Sequence, residues 1–250
     1  MSDSQLIYGL HAVQSLLKRH PDRVIELQLT ERRDDPRLRA LEALARERGT
    51  KVIRVDAQVL QKALGDVAHQ GVAAQVLPIA PWSEDDLIAA LAEVQSPLVL
   101  ALDGVQDPHN LGACLRSADA CGALALLVPK DRAAQLSAVV RKVAAGAAES
   151  VPLVTVTNLV RTLKLLKEAQ LWVTGAAADA PREAAEVDFT GGTVLVMGSE
   201  GAGLRQLTRQ TCDYLVRLPQ LGSVESLNVS VAAGMLLYEV VRQRSKAQAG

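Results

Sequence analysis

From about residue 96 the chain is punctuated by short apolar runs. They are LVLAL (98–102), ALALLV (123–128), PLVTV (152–156), LWVTG (171–175), TVLVM (193–197) and YLVRL (214–218). Segments of helical period lie between them. Continuous apolar strands alternating with helices predict a mainly parallel sheet covered on both faces. The last helix shows its period most openly. Val229, Ala232, Ala233, Leu236, Leu237, Val240 and Val241 form one apolar face. The tail after it, RQRSKAQAG, is expected to fray. Before residue 96 the rhythm differs. VIELQLT (24–30), KVIRV (51–55) and GVAAQVL (71–77) read as strands. PRLRALEALARERG (36–49) reads as a helix, with Pro early and Gly at its end. PIAPWSEDD (78–86) carries two prolines ahead of an acidic helix start that Ser83 can cap. The pattern therefore predicts a small α/β domain over 1–77, a linker with a leading helix over 78–95, and a larger α/β domain over 96–250.

Composition narrows the function. Of the 250 residues 49% are hydrophobic, ample for a core, but aromatics are only 2%. That leaves few platforms for stacking bases and argues against an RNA reader built on sheet-surface aromatics. A net charge of -1 neither demands nor excludes nucleic acid, because local patches decide. Arg32, Arg33, Arg37, Arg39, Arg46, Arg48, Lys51 and Arg54 crowd one region. They are either a solvated face balanced by Glu42 and Glu47 or an RNA-contacting surface. Cys114, Cys121 and Cys212 form no CxxC pair, which points to buried, reduced thiols and a cytoplasmic protein. The four histidines are scattered, so no metal is expected. No membrane span or signal segment is expected either.

In open parallel sheets ligands sit beyond the carboxyl ends of the strands, so the loops there matter most. The first is LDGVQDPHNLGACLRSADACG (102–122), in which Asn110 can cap a helix. Arg116 lies about two turns further in, among Ala113, Ser117, Ala118 and Ala120, which suits either close packing against another surface or a surface ion pair. The second is VMGSEGAGL (196–204), where Gly198, Gly201 and Gly203 permit a tight turn and close backbone approach to a ligand. It matches neither GxGxxG nor GxSxG, and Glu200, if buried there, requires a polar partner. In the third, Ser226 and Asn228 flank a leucine at the mouth of the last helix. They either cap it or face a ligand. If the loops converge, Asn110, Arg116, Glu200, Ser226 and Asn228 share one crevice.

In order and spacing, NLGACLRSADACG, LVMGSEGAGL and LPQLGSVESLNVSVAAGMLLYE resemble the three motifs of the SpoU branch of the SPOUT RNA methyltransferases. The first part, with IYGLHAVQSLL and HQGVAAQV, resembles the ribosomal-protein-L30e-like substrate-binding domain that precedes the catalytic domain in bacterial 23S rRNA guanosine-2′-O-methyltransferases of that family. The resemblance implies a deep trefoil knot near the C-terminus, a homodimer through the C-terminal domain, and Arg116 completing the other subunit's site. It implies S-adenosylmethionine as methyl donor, held by Gly198, Leu218 and Leu227 with Met197, Gly201 and Gln220 as neighbours. It assigns Asn110, Arg116, Glu200, Ser226 and Asn228 to catalysis or substrate positioning. The implied reaction is 2′-O-methylation of a guanosine in 23S rRNA, with a tRNA guanosine or another rRNA position as the alternative.

Overall fold

The structure, a computed structural model, describes all residues except 1–3, 31–34, 66, 78–80, 224–225 and 250. Arg32 and Arg33 of the basic region, the first three linker residues, and Val224 and Glu225 thus lie outside the described residues. The chain divides into two compact units, Met1–Ala80 with Ala145–Ser150, and Pro81–Ala144 with Val151–Gly250.

In the first unit β1 (Gln5–Tyr8), α1 (Leu10–Arg19), β2 (Val24–Thr30), α2 (Pro36–Glu47), β3 (Lys51–Val55), α3 (Ala57–Leu64) and β4 (Val72–Val76) build a four-stranded sheet of order β1-β4-β2-β3. β2 and β3 are parallel and the other pairs antiparallel. α2 starts where Asp35 accepts the Arg37 N–H and Pro36 fills the first turn. Leu16, Leu17, Leu27, Leu29 and Leu38 close the core. Several of the basic residues are ion-paired: Arg46 and Arg54 with Glu42, Lys51 with Glu26, and Arg37 with Asp35.

The second unit holds α4 (Glu84–Leu91), β5 (Leu98–Asp103), α5 (Pro108–Ala120), β6 (Ala125–Pro129), α6 (Ala138–Ala144), β7 (Leu153–Val156), α7 (Leu159–Glu168), β8 (Trp172–Ala176), β9 (Arg182–Glu183), β10 (Thr193–Gly198), α8 (Gln206–Thr211), β11 (Tyr214–Arg217) and α9 (Val229–Ala249). The strands form a seven-stranded parallel sheet of order β7-β6-β5-β10-β8-β11-β9. β5, β6 and β10 are buried along most of their length, as their unbroken apolar runs require. One core joins β5, β6, β7, β8 and β10 to Leu87 and Leu91 of α4 and Leu159, Leu163 and Leu166 of α7. Ser83 and Asp86 make a capping box at the start of α4.

α9 packs on α5 of the same chain. A Cβ built on Gly234 would stand 3.5 Å from Ser117 Oγ. The tail expected to fray is helical to Ala249. The Arg244 guanidinium donates to the carbonyls of Ser96 (2.8 Å), Gly191 (2.7 Å) and Phe189 (3.1 Å), tying the far end of α9 to the sheet. Among the described residues no helix is long and apolar enough to cross a membrane.

Candidate active site

Three chain segments meet at the carboxyl end of β10. The first is the opening turn of α5. Its cap is Asp107, which accepts the His109 N–H at 2.9 Å. Asn110 therefore does not cap the helix, contrary to the sequence-based expectation, and Pro108 accounts for the shift by occupying the first helical position. Freed from that duty, the buried Asn110 carboxamide points to other partners.

The second segment is the glycine turn after β10. Ser199 and Gly203 exchange two backbone hydrogen bonds, at 3.1 and 2.9 Å. Gly201 and Gly203 hold φ of +78° and +66°, a region in which side chains with a Cβ are strained. The turn carries Glu200 outward. Glu200 is exposed rather than buried, yet it has the polar partners that were expected of it.

The third segment is the start of α9, which Asn228 caps. Its Oδ1 accepts from the Ser230 N–H (2.9 Å), the Ser230 hydroxyl (2.6 Å) and the Val231 N–H (3.4 Å). Three donors on that oxygen fix the amide's orientation, since a flipped carboxamide would turn its NH2 toward them. The Asn228 Nδ2 must then face the other way. It donates to Glu200 Oε1 at 2.7 Å and to Asn110 Oδ1 at 2.9 Å. Asn110 Nδ2 donates to the same Glu200 oxygen at 3.3 Å. One residue from each segment thus closes a triangle of side-chain hydrogen bonds.

Beside this triangle opens a crevice of about 660 Å³, a size usual for small-molecule sites. Met197, Gly198, Gly201, Leu218, Gln220 and Leu227 all line it, with Glu200, Ser226 and Asn228. Asn110 reaches it through its bonds to Glu200 and Asn228. Sequence reasoning missed Ala176, Ala177 and Ala178, which also line the crevice. Their signal was available, because they end and follow β8 on the carboxyl side where ligands gather.

Arg116 stands apart. It is exposed on α5 and takes no part in the triangle. It lies six positions beyond Asn110, about 9 Å along the axis and roughly 120° around it. The two side chains leave different faces of α5.

The thiols offer no nucleophile here. Cys114 is buried, while Cys121 and Cys212 are half-buried rather than fully buried as expected. Burial pushes the Cys114 thiol up to about 12, and Cys212 likewise, helped by the neighbouring Asp213. Among the described residues no cluster of three or more His, Cys, Asp or Glu could hold a metal ion.

Comparison with known proteins fits this geometry. The SpoU rRNA Methylase family matches residues 97–238, and the family described as RNA 2′-O ribose methyltransferase substrate binding matches residues 6–82. The chain is 54% identical over 246 residues to the 23S rRNA (guanosine-2′-O-)-methyltransferase RlmB of Pseudomonas syringae pv. tomato, covering 98% of each chain. It is 50% identical over 242 residues to the protein of that name in Escherichia coli, covering 97% of this chain and all of the relative. Among solved structures, the SpoU methyltransferase AviRb from Streptomyces viridochromogenes in complex with the cofactor AdoMet superposes with a TM-score of 0.77 at 27% identity, over 97% of this chain and 91% of that one. Catalytic-unit motifs, a matched N-terminal unit and half-identical relatives along nearly the whole length coincide, and the chain belongs to the SpoU rRNA methylase family.

Proposed function

We propose that the protein transfers a methyl group from S-adenosylmethionine to the ribose 2′-oxygen of a guanosine in 23S rRNA, acting in the cytoplasm. The observation that carries this reading is the Asn110–Glu200–Asn228 triangle, set at the edge of a crevice lined by all six residues assigned to the methyl donor. The named relatives supply the substrate class.

The crevice fits the donor. Its glycine-turn backbone, with Leu218 and Leu227, gives apolar walls and unshielded backbone groups of the kind that hold a nucleoside. When bound, S-adenosylmethionine supplies an electrophilic sulfonium methyl for in-line displacement. The chain's own residues orient the ribose and move its proton. Glu200 Oε1 is occupied by two amide donors, which leaves Oε2 to accept the 2′-hydroxyl proton. Asn110 and Asn228 hold that carboxylate in place, and Ser226 lies on the ribose side. Arg116 is unsuited as a base, because a guanidinium stays protonated in proteins. It anchors a substrate phosphate and stabilises negative charge developing on the 2′-oxygen.

That role requires a second copy of the chain. Arg116 leaves α5 on a different face from Asn110, so within one chain the two do not serve one ribose. In a homodimer the partner's Arg116 reaches the site instead. Val231, Met235 and Tyr238 of α9 are 51%, 43% and 64% exposed. At spacings of four and three they make one apolar stripe, which a twofold partner would cover. The family reading also carries the trefoil knot and an RNA-holding role for residues 6–82. There Arg37, Arg46 and Lys51 remain about 70% exposed while ion-paired, at 72%, 73% and 69%, available to exchange those partners for phosphates.

The test is transfer of labelled methyl from S-adenosylmethionine to unmodified 23S rRNA, with Asn228→Asp as control. The reading expects label in the wild-type reaction and little in the control. Label on tRNA but none on 23S rRNA would redirect the substrate assignment, and no label on either would refute the activity.

A further inference from the structure

The mechanism above uses the crevice beyond β8, β10 and β11. A second one, of about 490 Å³, opens beyond the carboxyl ends of β5, β6 and β7. No step of the reaction uses it, although it too lies where open parallel sheets bind ligands. Its floor is Asp103, the last residue of β5, with a side chain only 1% exposed. Asp103 Oδ2 accepts the Arg205 backbone N–H at 2.9 Å. Asp103 Oδ1 is buried and has no hydrogen-bond donor among the described residues, but it is ion-paired with the Arg205 guanidinium, whose Nε lies 3.5 Å away. A buried carboxylate oxygen held by an ion pair without a hydrogen bond is costly, and Asp103 lines the open crevice.

The walls complete a pattern. Arg132 and Arg205, the latter ion-paired with Asp103, bring two guanidinium groups to the rim, where Asp131 is an exposed carboxylate. Leu207, 65% exposed, offers an apolar ledge. An acceptor at the bottom, an apolar face at the side and cations at the mouth match the three parts of a nucleotide: the N–H edge of its base, its ring face and its phosphate. In register, Asp103 stands opposite Gly198 on β10, and neighbouring strands lie about 4.8 Å apart. The floor of this crevice and the edge of the methyl-donor crevice are thus adjacent strand ends.

We propose that this second crevice receives a nucleotide flanking the methylated guanosine in the substrate RNA. Asp103 Oδ1 accepts from an amino or imino N–H of its base, Leu207 packs on the ring, and Arg132 with Arg205 meets the phosphate. The proposal rests on the RNA methyltransferase reading and adds a base-reading subsite to it.

The experiment uses the full-length enzyme and a transcript carrying the target guanosine, with flanking positions made abasic one at a time. For the wild type, one abasic position raises KM for RNA about tenfold, the loss of one hydrogen bond to a charged group. Asp103→Asn raises KM for the intact transcript by a similar factor, more than it lowers kcat. In that variant the abasic penalty at the same position collapses, while methyl-donor affinity by titration calorimetry is unchanged. Arg132→Gly, which keeps the observed positive φ of 56° free of strain, and Leu207→Ala raise KM for RNA by severalfold. They keep the test decisive if Asp103→Asn fails to fold. The proposal is overturned if no flanking position matters, if Asp103→Asn keeps the full abasic penalty, if it loses methyl-donor affinity, or if both wall variants bind RNA normally. Failure of the underlying reading looks different, because the wild type then methylates no transcript at all.

Discussion

Gly198→Ala tests the local architecture of the site most sharply. A glycine there suggests from sequence that backbone must approach a ligand closely. The structure puts the crowding elsewhere. A Cβ on Gly198 would stand 2.1 Å from the Gly203 carbonyl carbon, 2.4 Å from its oxygen and 2.4 Å from the Leu204 nitrogen. Carbon atoms pack best near 3.5 Å, so the turn must withdraw by roughly 1.4 Å. It cannot do so freely. Ser199 and Gly203 are bonded to each other, and Asp103 holds the Arg205 N–H. Overpacking against backbone costs about 3 kcal/mol, and loosening the paired hydrogen bonds adds about 1 kcal/mol each. A domain of this size loses about 2–4 °C of melting temperature per kcal/mol, so a fall on the order of 10 °C is expected. Displacing the turn also moves Glu200 away from Asn110 and Asn228. Calorimetric unfolding, methyl-donor titration and turnover should therefore all register the change. A variant that melts within about 2 °C of wild type and binds the donor equally well would show that the turn yields to the added methyl.

Asn228 permits a separation of capping from chemistry. Asn228→Asp keeps the cap but sets a carboxylate against Glu200, so turnover should fall by orders of magnitude with little thermal cost. Asn228→Ala loses both, with a stability cost of about 1 kcal/mol; equal turnover in wild type and Asn228→Asp would contradict the triangle's role. In the proposed homodimer, Arg116→Ala and Asn228→Ala proteins, each inactive alone, should regain turnover when unfolded and refolded together, because a mixed dimer would hold one intact site; no recovery would place Arg116 in its own chain's site. Cys114 and Cys212, with thiols near 12, remain neutral at pH 8 and should resist alkylation there until the protein is denatured. Rapid labelling of the folded protein, read by peptide mass spectrometry, would contradict their burial.

The parallel sheet was legible in the sequence because β5, β6 and β10 are buried on both faces and cannot tolerate polar residues. β1 and β9 were not. β9 is two residues long, and in β1 the burial pattern shows a single buried position, so neither leaves a periodic trace. The three site loops were legible from their positions after strands, but their internal roles were not. Asn110 read as a cap because Asn favours that place, and nothing local shows that Asp107 takes it. Side-chain bonds between residues 90 and 118 positions apart, Asn110 to Glu200 and to Asn228, carry no periodic signal. Nor does any local pattern announce that Gly234 of α9 meets Ser117 of α5. The oxygen of Asp103 that lacks a donor could come only from coordinates.

Methylation of a guanosine ribose in 23S rRNA by this chain can be read directly in cells. Total RNA from a strain lacking the protein can be compared with the complemented strain by nuclease digestion and mass spectrometric mapping. One 2′-O-methylguanosine in 23S rRNA should disappear with the gene and return with the wild-type protein but not with Asn228→Asp. An unchanged 23S rRNA map, or a missing methyl group on a base or in tRNA instead, would contradict it.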